Sequence, residues 1–114
     1  MPEPALDLPS EWREQILGIL AAICPELEVW CHGSRVQGRA RKWSDLDVVV
    51  VSDHAIHPAR LNDLREAFAL SDVPIRIDVA DLHTLPTTLQ RAIQDEHIVL
   101  WNPRVHDPDT AAQD

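Results

Sequence analysis

A chain of 114 residues, 45% of them hydrophobic, has room for one modest core and for no appended second domain. Its 19 acidic residues against 10 basic ones give a net charge of −9, which argues against nucleic acid as a direct ligand. Cys24 and Cys31 lie in apolar runs at no zinc or disulfide spacing, and no stretch reaches the length of a membrane span. Met1-Pro2-Glu3-Pro4 lacks the basic start of a signal peptide, so a cytoplasmic protein with reduced thiols is expected.

Residues 1–8 are rich in proline and are expected to be loosely ordered. A helix starts at Pro9-Ser10, where proline suits the first turn and Glu11 suits the helix dipole. Trp12, Ile16, Ile19, Leu20 and Ile23 form its apolar stripe, and Pro25 stops it. Residues 27–31 read as a first strand that runs into Gly33-Ser34. A short helix is expected over 35–40, its first backbone N–H groups facing any bound phosphate. Arg35, Arg39, Arg41 and Lys42 make this loop basic, which suits a small anion better than a long polyanion. Ser44 is placed to bond the backbone beside Asp45.

The second strand, expected over 45–52, carries Asp45 and Asp47 at its mouth and Val48 to Val51 behind them, a run that reads as buried on both faces. A polar connection holding His54 and His57 leads to a helix over 59–70 with Leu61, Leu64, Ala67 and Phe68 inward. A third strand is expected over 75–80, then a helix over 86–95 with Leu89, Ala92 and Ile93 inward, then a last strand over 98–101. The expected fold is α/β, a small mixed β-sheet flanked by helices. One domain over 1–104 would be followed by a disordered tail over 105–114.

Side chains alternate along a strand, so Asp45 and Asp47 share a face about 7 Å apart. Two like charges about 5 Å apart repel by roughly 3 kcal/mol at an effective dielectric near 20. Such a pair must bind a metal, share a proton or splay into water, and a divalent cation is the best candidate. Asp78, between Ile77 and Val79, would complete a cluster of three if its strand lies beside the second. Arg76 on the same strand face offers the competing reading of a structural ion pair. A turn offering N–H groups and a hydroxyl opposite metal-holding acids is the layout a nucleoside triphosphate needs.

Other motifs fail. Gly33 and Gly38 have P-loop spacing, but Arg39-Ala40 follows in place of lysine and a hydroxyl residue. A dinucleotide fingerprint would need glycine where Arg35 stands. Arg35 reads either as a triphosphate contact or as an anchor tying its loop to a neighbouring acid. The six histidines are scattered and read as surface or loop residues. Trp43, in a polar loop, reads as core, as a partner anchor or as a base-stacking lid.

Gly33-Ser34, ten residues, Asp45-Leu46-Asp47-Val48 and later Ile77-Asp78-Val79 resemble the signature of the DNA polymerase β-like nucleotidyltransferase superfamily. Within it, Gly33-Ser34-Arg35-Val36-Gln37-Gly38 and Ser44-Asp45-Leu46-Asp47 resemble the minimal nucleotidyltransferases (MNT) that pair with a HEPN-domain protein. The resemblance implies AMP transfer from ATP to a hydroxyl, on a HEPN-type toxin for which this chain is the antitoxin. It implies two Mg²⁺ ions (or Mn²⁺) on Asp45 and Asp47, with Asp78 binding the catalytic ion and helping to deprotonate the acceptor. Gly33 would let the backbone approach the triphosphate, Ser34 would donate to it, and Arg35 would add a contact. The chain has no tyrosine, so a tyrosine acceptor would lie on another protein. The alternatives are a small-molecule, antibiotic-type nucleotidyltransferase working with a helical partner, and an antitoxin that only binds.

Overall fold

Helix α1 (Ser10–Ile23) begins one residue after Pro9 and ends where the Cys24 N–H returns to the Leu20 carbonyl at 2.9 Å. Its stripe is real, with Ile16 and Leu20 buried and Trp12, Ile19 and Ile23 half-buried. The computed structural model describes residues 6–106, in which α1 is followed by β1 (Glu28–His32), α2 (Ser34–Gln37), β2 (Leu46–Val51), α3 (Pro58–Leu70) and β3 (Ile77–Asp81). A 3₁₀ turn (Leu82–Thr84), α4 (Thr87–Asp95), β4 (Ile98–Trp101) and α5 (Pro103–His106) complete it.

The four strands form one mixed sheet in the order β3-β2-β1-β4. β1 runs antiparallel to both β2 and β4, while β2 and β3 are parallel and joined through α3. Pairing fixes the faces. Val29, Cys31, Val48, Val50 and Val79 turn toward α1 and α3, where Leu61, Leu64 and Phe68 join them in the main core. Val49 turns the other way, onto Leu82 and Ile93, with Trp30, Val51, Ala80 and Leu85 packed around them. Val48, Val49 and Val50 are all buried, so the valine run is covered on both sides as its composition implies. Burying each contributes about 1.5–3 kcal/mol.

Several boundaries and orientations differ from the sequence expectation. β2 starts at Leu46, leaving Asp45 exposed in the loop before it, and β3 starts at Ile77, beyond Pro74, which has no N–H for a ladder. Leu89 and Ala92, expected inward, are exposed, because Leu82 and Leu85 already fill the small hollow over Val49 and leave room only for Ile93. Residues 6–8 are not loose: Leu6 and Leu8 pack on the main core, and the Asp7 N–H donates to the Arg35 carbonyl at 2.9 Å. The remainder of that opening segment, 1–5, lies outside the described residues. So does the expected tail, except for residues 105–106 at the end of α5.

Candidate active site

Gly33 ends β1 at φ 83°, ψ −155°, a conformation open to glycine and costly for other residues. A Cβ built on it would run into the Asp47 carboxylate, whose Cγ would be 3.3 Å away. The glycine is thus required twice, for its backbone and for the space the acid occupies. Beyond it, α2 is a single turn, with the Val36 and Gln37 N–H groups on the Gly33 carbonyl at 3.0 and 3.1 Å. Gly38, left-handed at φ 73°, closes the turn, which is shorter than the helix expected over 35–40.

Asp47 stands at the centre of a row across three strands. Its register partner on β1 is His32 and its partner on β3 is Asp78, and directly opposed residues share a face. That face is the one bearing Val49, not the one under α1 and α3. Burial pushes the Asp47 carboxyl above the ordinary carboxylate range; His32 opposes the rise, Asp78 and Asp45 add to it, and Arg76 opposes it. His32 is pushed down by burial, with the Asp47 charge opposing.

Asp78 also pairs with Arg76, Nε to Oδ1 at 2.9 Å, as the ion-pair reading anticipated. Both side chains are substantially exposed, so this contact is worth at most about 1 kcal/mol. Asp45, outside the ladder, reaches Asp47 only through its field. Among the described residues no three acidic, histidine or cysteine side chains are drawn close enough to hold a metal ion. The expected three-acid cluster is therefore a register pair with a third acid standing off, as uncompensated like charges arrange themselves. The donor set still suits a hard divalent cation: three carboxylates of one sign, the central one half-buried and held above the ordinary carboxylate range chiefly by that burial, with Asp78 and Asp45 adding to the rise.

Ser34 opens α2 beside Gly33 and is half-buried. Arg35 departs from its expected phosphate role. It is 2% exposed and its guanidinium donates to backbone carbonyls: Asp7 at 2.8 Å, Lys42 at 2.9 Å, Ser44 at 2.9 and 3.0 Å, and Arg41 at 3.4 Å. A buried cation needs such partners, and here they are loop carbonyls instead of an acid. Ser44 Oγ accepts from the Arg41 N–H at 2.8 Å, so it braces the loop and not the Asp45 backbone. Trp43, 60% exposed, stacks on Trp12 with centroids 6.3 Å apart, and Lys42 Nζ lies 4.9 Å from its ring centre.

The residue that sequence reasoning missed is His32. It stands at the end of β1, immediately before Gly33, and only the pairing of β1 with β2 brings it opposite Asp47. His97 also departs from a plain surface role, stacking on Trp30 at 3.8 Å with its Nδ1 2.8 Å from the Ile93 carbonyl.

Residues 19–104 match the family described as polymerase beta, nucleotidyltransferase. The chain is 36% identical over 95 residues to the probable protein adenylyltransferase MntA of Haemophilus influenzae, covering 83% of each chain. It resembles a chain in the crystal structure of a toxin–antitoxin with AMP-PNP, with TM-score 0.66, 24% identity and coverage of 89% of this chain and 82% of that one. It also resembles a chain in the rebuilt structure of a tri-AMPylated Shewanella oneidensis HEPN toxin in complex with MNT antitoxin. There the TM-score is 0.61 and the identity 20%, over 91% and 81% of the two chains.

Proposed function

As the chain belongs to the polymerase β-type nucleotidyltransferase family, we propose that it transfers AMP from ATP to a hydroxyl of a HEPN-type partner, acting as the antitoxin of that pair. The observation that carries this reading is Asp47, set between the Gly33 backbone and Asp78 at the mouth of an interior strand. The adenylyltransferase relative and the toxin–antitoxin complexes support the nucleotide and the partner.

In this reading Asp45, Asp47 and Asp78 would hold Mg²⁺, and the ion would supply positive charge to offset that of the triphosphate oxygens. As the resemblance implies, the Gly33-Ser34 turn would receive the triphosphate with Ser34 as a donor, and the absence of a side chain at 33 keeps Asp47 in its place beside it. Asp78 accepts the proton of the attacking hydroxyl. The acceptor oxygen then bonds to the α-phosphorus, the bond to the β-phosphate oxygen breaks, and pyrophosphate leaves. Arg35 acts at one remove, fixing the loop that delivers Ser44 and Asp45. A supply of ATP places the reaction in the cytoplasm.

The test is incubation of the chain with ATP, Mg²⁺ and the HEPN protein encoded by the neighbouring gene, followed by intact mass. One or more AMP additions on the partner, absent with Asp45→Asn, are expected. A stable complex whose mass never changes under any metal or nucleotide would leave only inhibition by binding.

A further inference from the structure

We propose that Trp43 and the basic loop around it form the docking anchor for the acceptor-bearing partner, received there by an apolar pocket with an acidic rim. The proposal rests on the partner reading above. Trp43 lies in the loop that leads to Asp45, but its ring turns toward α1 and not toward the row of Asp47 and Asp78. It stacks on Trp12, which packs against the main core beneath α1, whereas Asp47, Asp78 and His32 line the opposite face. An exposed tryptophan whose ring turns from the acids has a large apolar surface left to bury.

The ring is also held in place. Arg35 ties the carbonyls of Arg41, Lys42 and Ser44 into one buried guanidinium, the Arg41 N–H is bound by Ser44 Oγ, and the Ser44 N–H returns to the Arg41 carbonyl at 3.1 Å. Trp43 sits inside that closed loop, stacked on a second ring, so little side-chain freedom remains to be lost on binding. Rigid, exposed tryptophans are among the residues that dominate binding energy at protein interfaces.

Charge selects the partner's side of the contact. Arg41 and Lys42, next to Trp43 in the loop, are exposed on a chain whose net charge is −9. A hollow of about 270 Å³ beside them is lined by Trp12, Arg41 and Lys42, with Asp7 its single acid among the described residues. A local reversal of sign on an acidic molecule orients docking, because an acidic rim is attracted to this loop and repelled elsewhere.

The experiment uses the full chain and the HEPN protein of the neighbouring gene, with complex affinity and Mg²⁺-ATP affinity measured separately. Trp43→Ala should weaken the complex by ~30-fold, the effect of losing a hot-spot residue. ATP affinity and melting temperature should stay unchanged, and Trp43→Phe should recover part of the loss. Reversing Arg41 and Lys42 to glutamate should slow association by about tenfold at low salt and less at high salt. A wild-type complex that forms and is untouched by Trp43→Ala overturns the anchor and leaves the enzyme reading standing. Weaker ATP binding with an intact complex would make Trp43 a base platform and also overturn it. No complex with the wild-type chain would remove the partner and the anchor together.

Discussion

The two faces of the sheet are built from neighbouring residues of the same strands and do opposite things. On one face Val48 and Val50 meet Ile16, Leu20, Leu64 and Phe68 in a continuous apolar layer sealed by α1 and α3. On the other, Val49 has Leu82 and Ile93 as its buried partners among the described residues, and one step along β2 the surface becomes Asp47 between His32 and Asp78. Alternation along the strand lets one segment serve both purposes. The sealed face supplies stability; the open face leaves half-buried carboxylates with access to solvent and to ligand. Changes on the two faces should therefore separate cleanly into stability and chemistry.

The largest expected effect is on chemistry alone. Asp47→Asn should lower AMP transfer by about a thousandfold or more, while the metal-free protein melts no lower than wild type. The pH dependence follows from the sign of the Asp47 shift. Burial and the neighbouring acids raise its folded-state pKa above the ordinary 3.8, so keeping it ionised costs stability above that raised value. The cost is relieved as pH falls through the folded pKa. In metal-free melting curves the asparagine variant should thus hold its advantage at neutral pH and lose it as pH approaches 3.8. An Asp47→Asn protein that unfolds would instead put this acid among the structural residues.

On the sealed face the expectation reverses. Leu20→Ala removes fully buried atoms from α1 and should cost about 2–5 kcal/mol of stability by denaturant unfolding, with transfer per folded molecule unchanged. Gly33→Ala lies at the meeting of the two faces and should damage both. A positive φ costs a non-glycine residue about 1–2 kcal/mol, and the new Cβ displaces the Asp47 carboxylate. Normal transfer by a well-folded Gly33→Ala variant would contradict the role given to this turn.

The sealed face was readable in the sequence because burial writes itself as periodicity. The stripe of α1, the valine run of β2, and the Leu61, Leu64 and Phe68 spacing of α3 all reappear in the main core. The acids were readable through their spacing and their place at strand mouths. What was hidden depends on pairing between distant segments. Nothing local to His32 reveals that β1 and β2 bring it opposite Asp47. Likewise, Arg35 is buried because Asp7, Lys42 and Ser44 bring carbonyls from two directions, which no spacing rule encodes. Leu89 misled for a related reason: its helix has the period of an inward face, but the hollow it would fill is taken by Leu82 and Leu85.

The smallest effect tests the border between structure and chemistry at Asp78. Arg76 binds this carboxylate at 2.9 Å in an exposed pair, so removing the guanidinium should change stability by less than about 0.5 kcal/mol. The same change frees an oxygen that a cation would otherwise have to win from the arginine. It also removes a positive charge that offsets repulsion at Asp47. Both consequences favour cation binding, so Arg76→Gln should shift the Mg²⁺ dependence of thermal stabilisation, measured with ATP present, toward lower concentration. A loss of stability well above 1 kcal/mol would instead make the pair a brace for β3, and Asp78 would then owe its position to structure before chemistry. With stability unchanged and the Mg²⁺ midpoint lowered, Asp78 belongs with Asp47 to the open face, and Arg76 is the counter-ion a metal displaces.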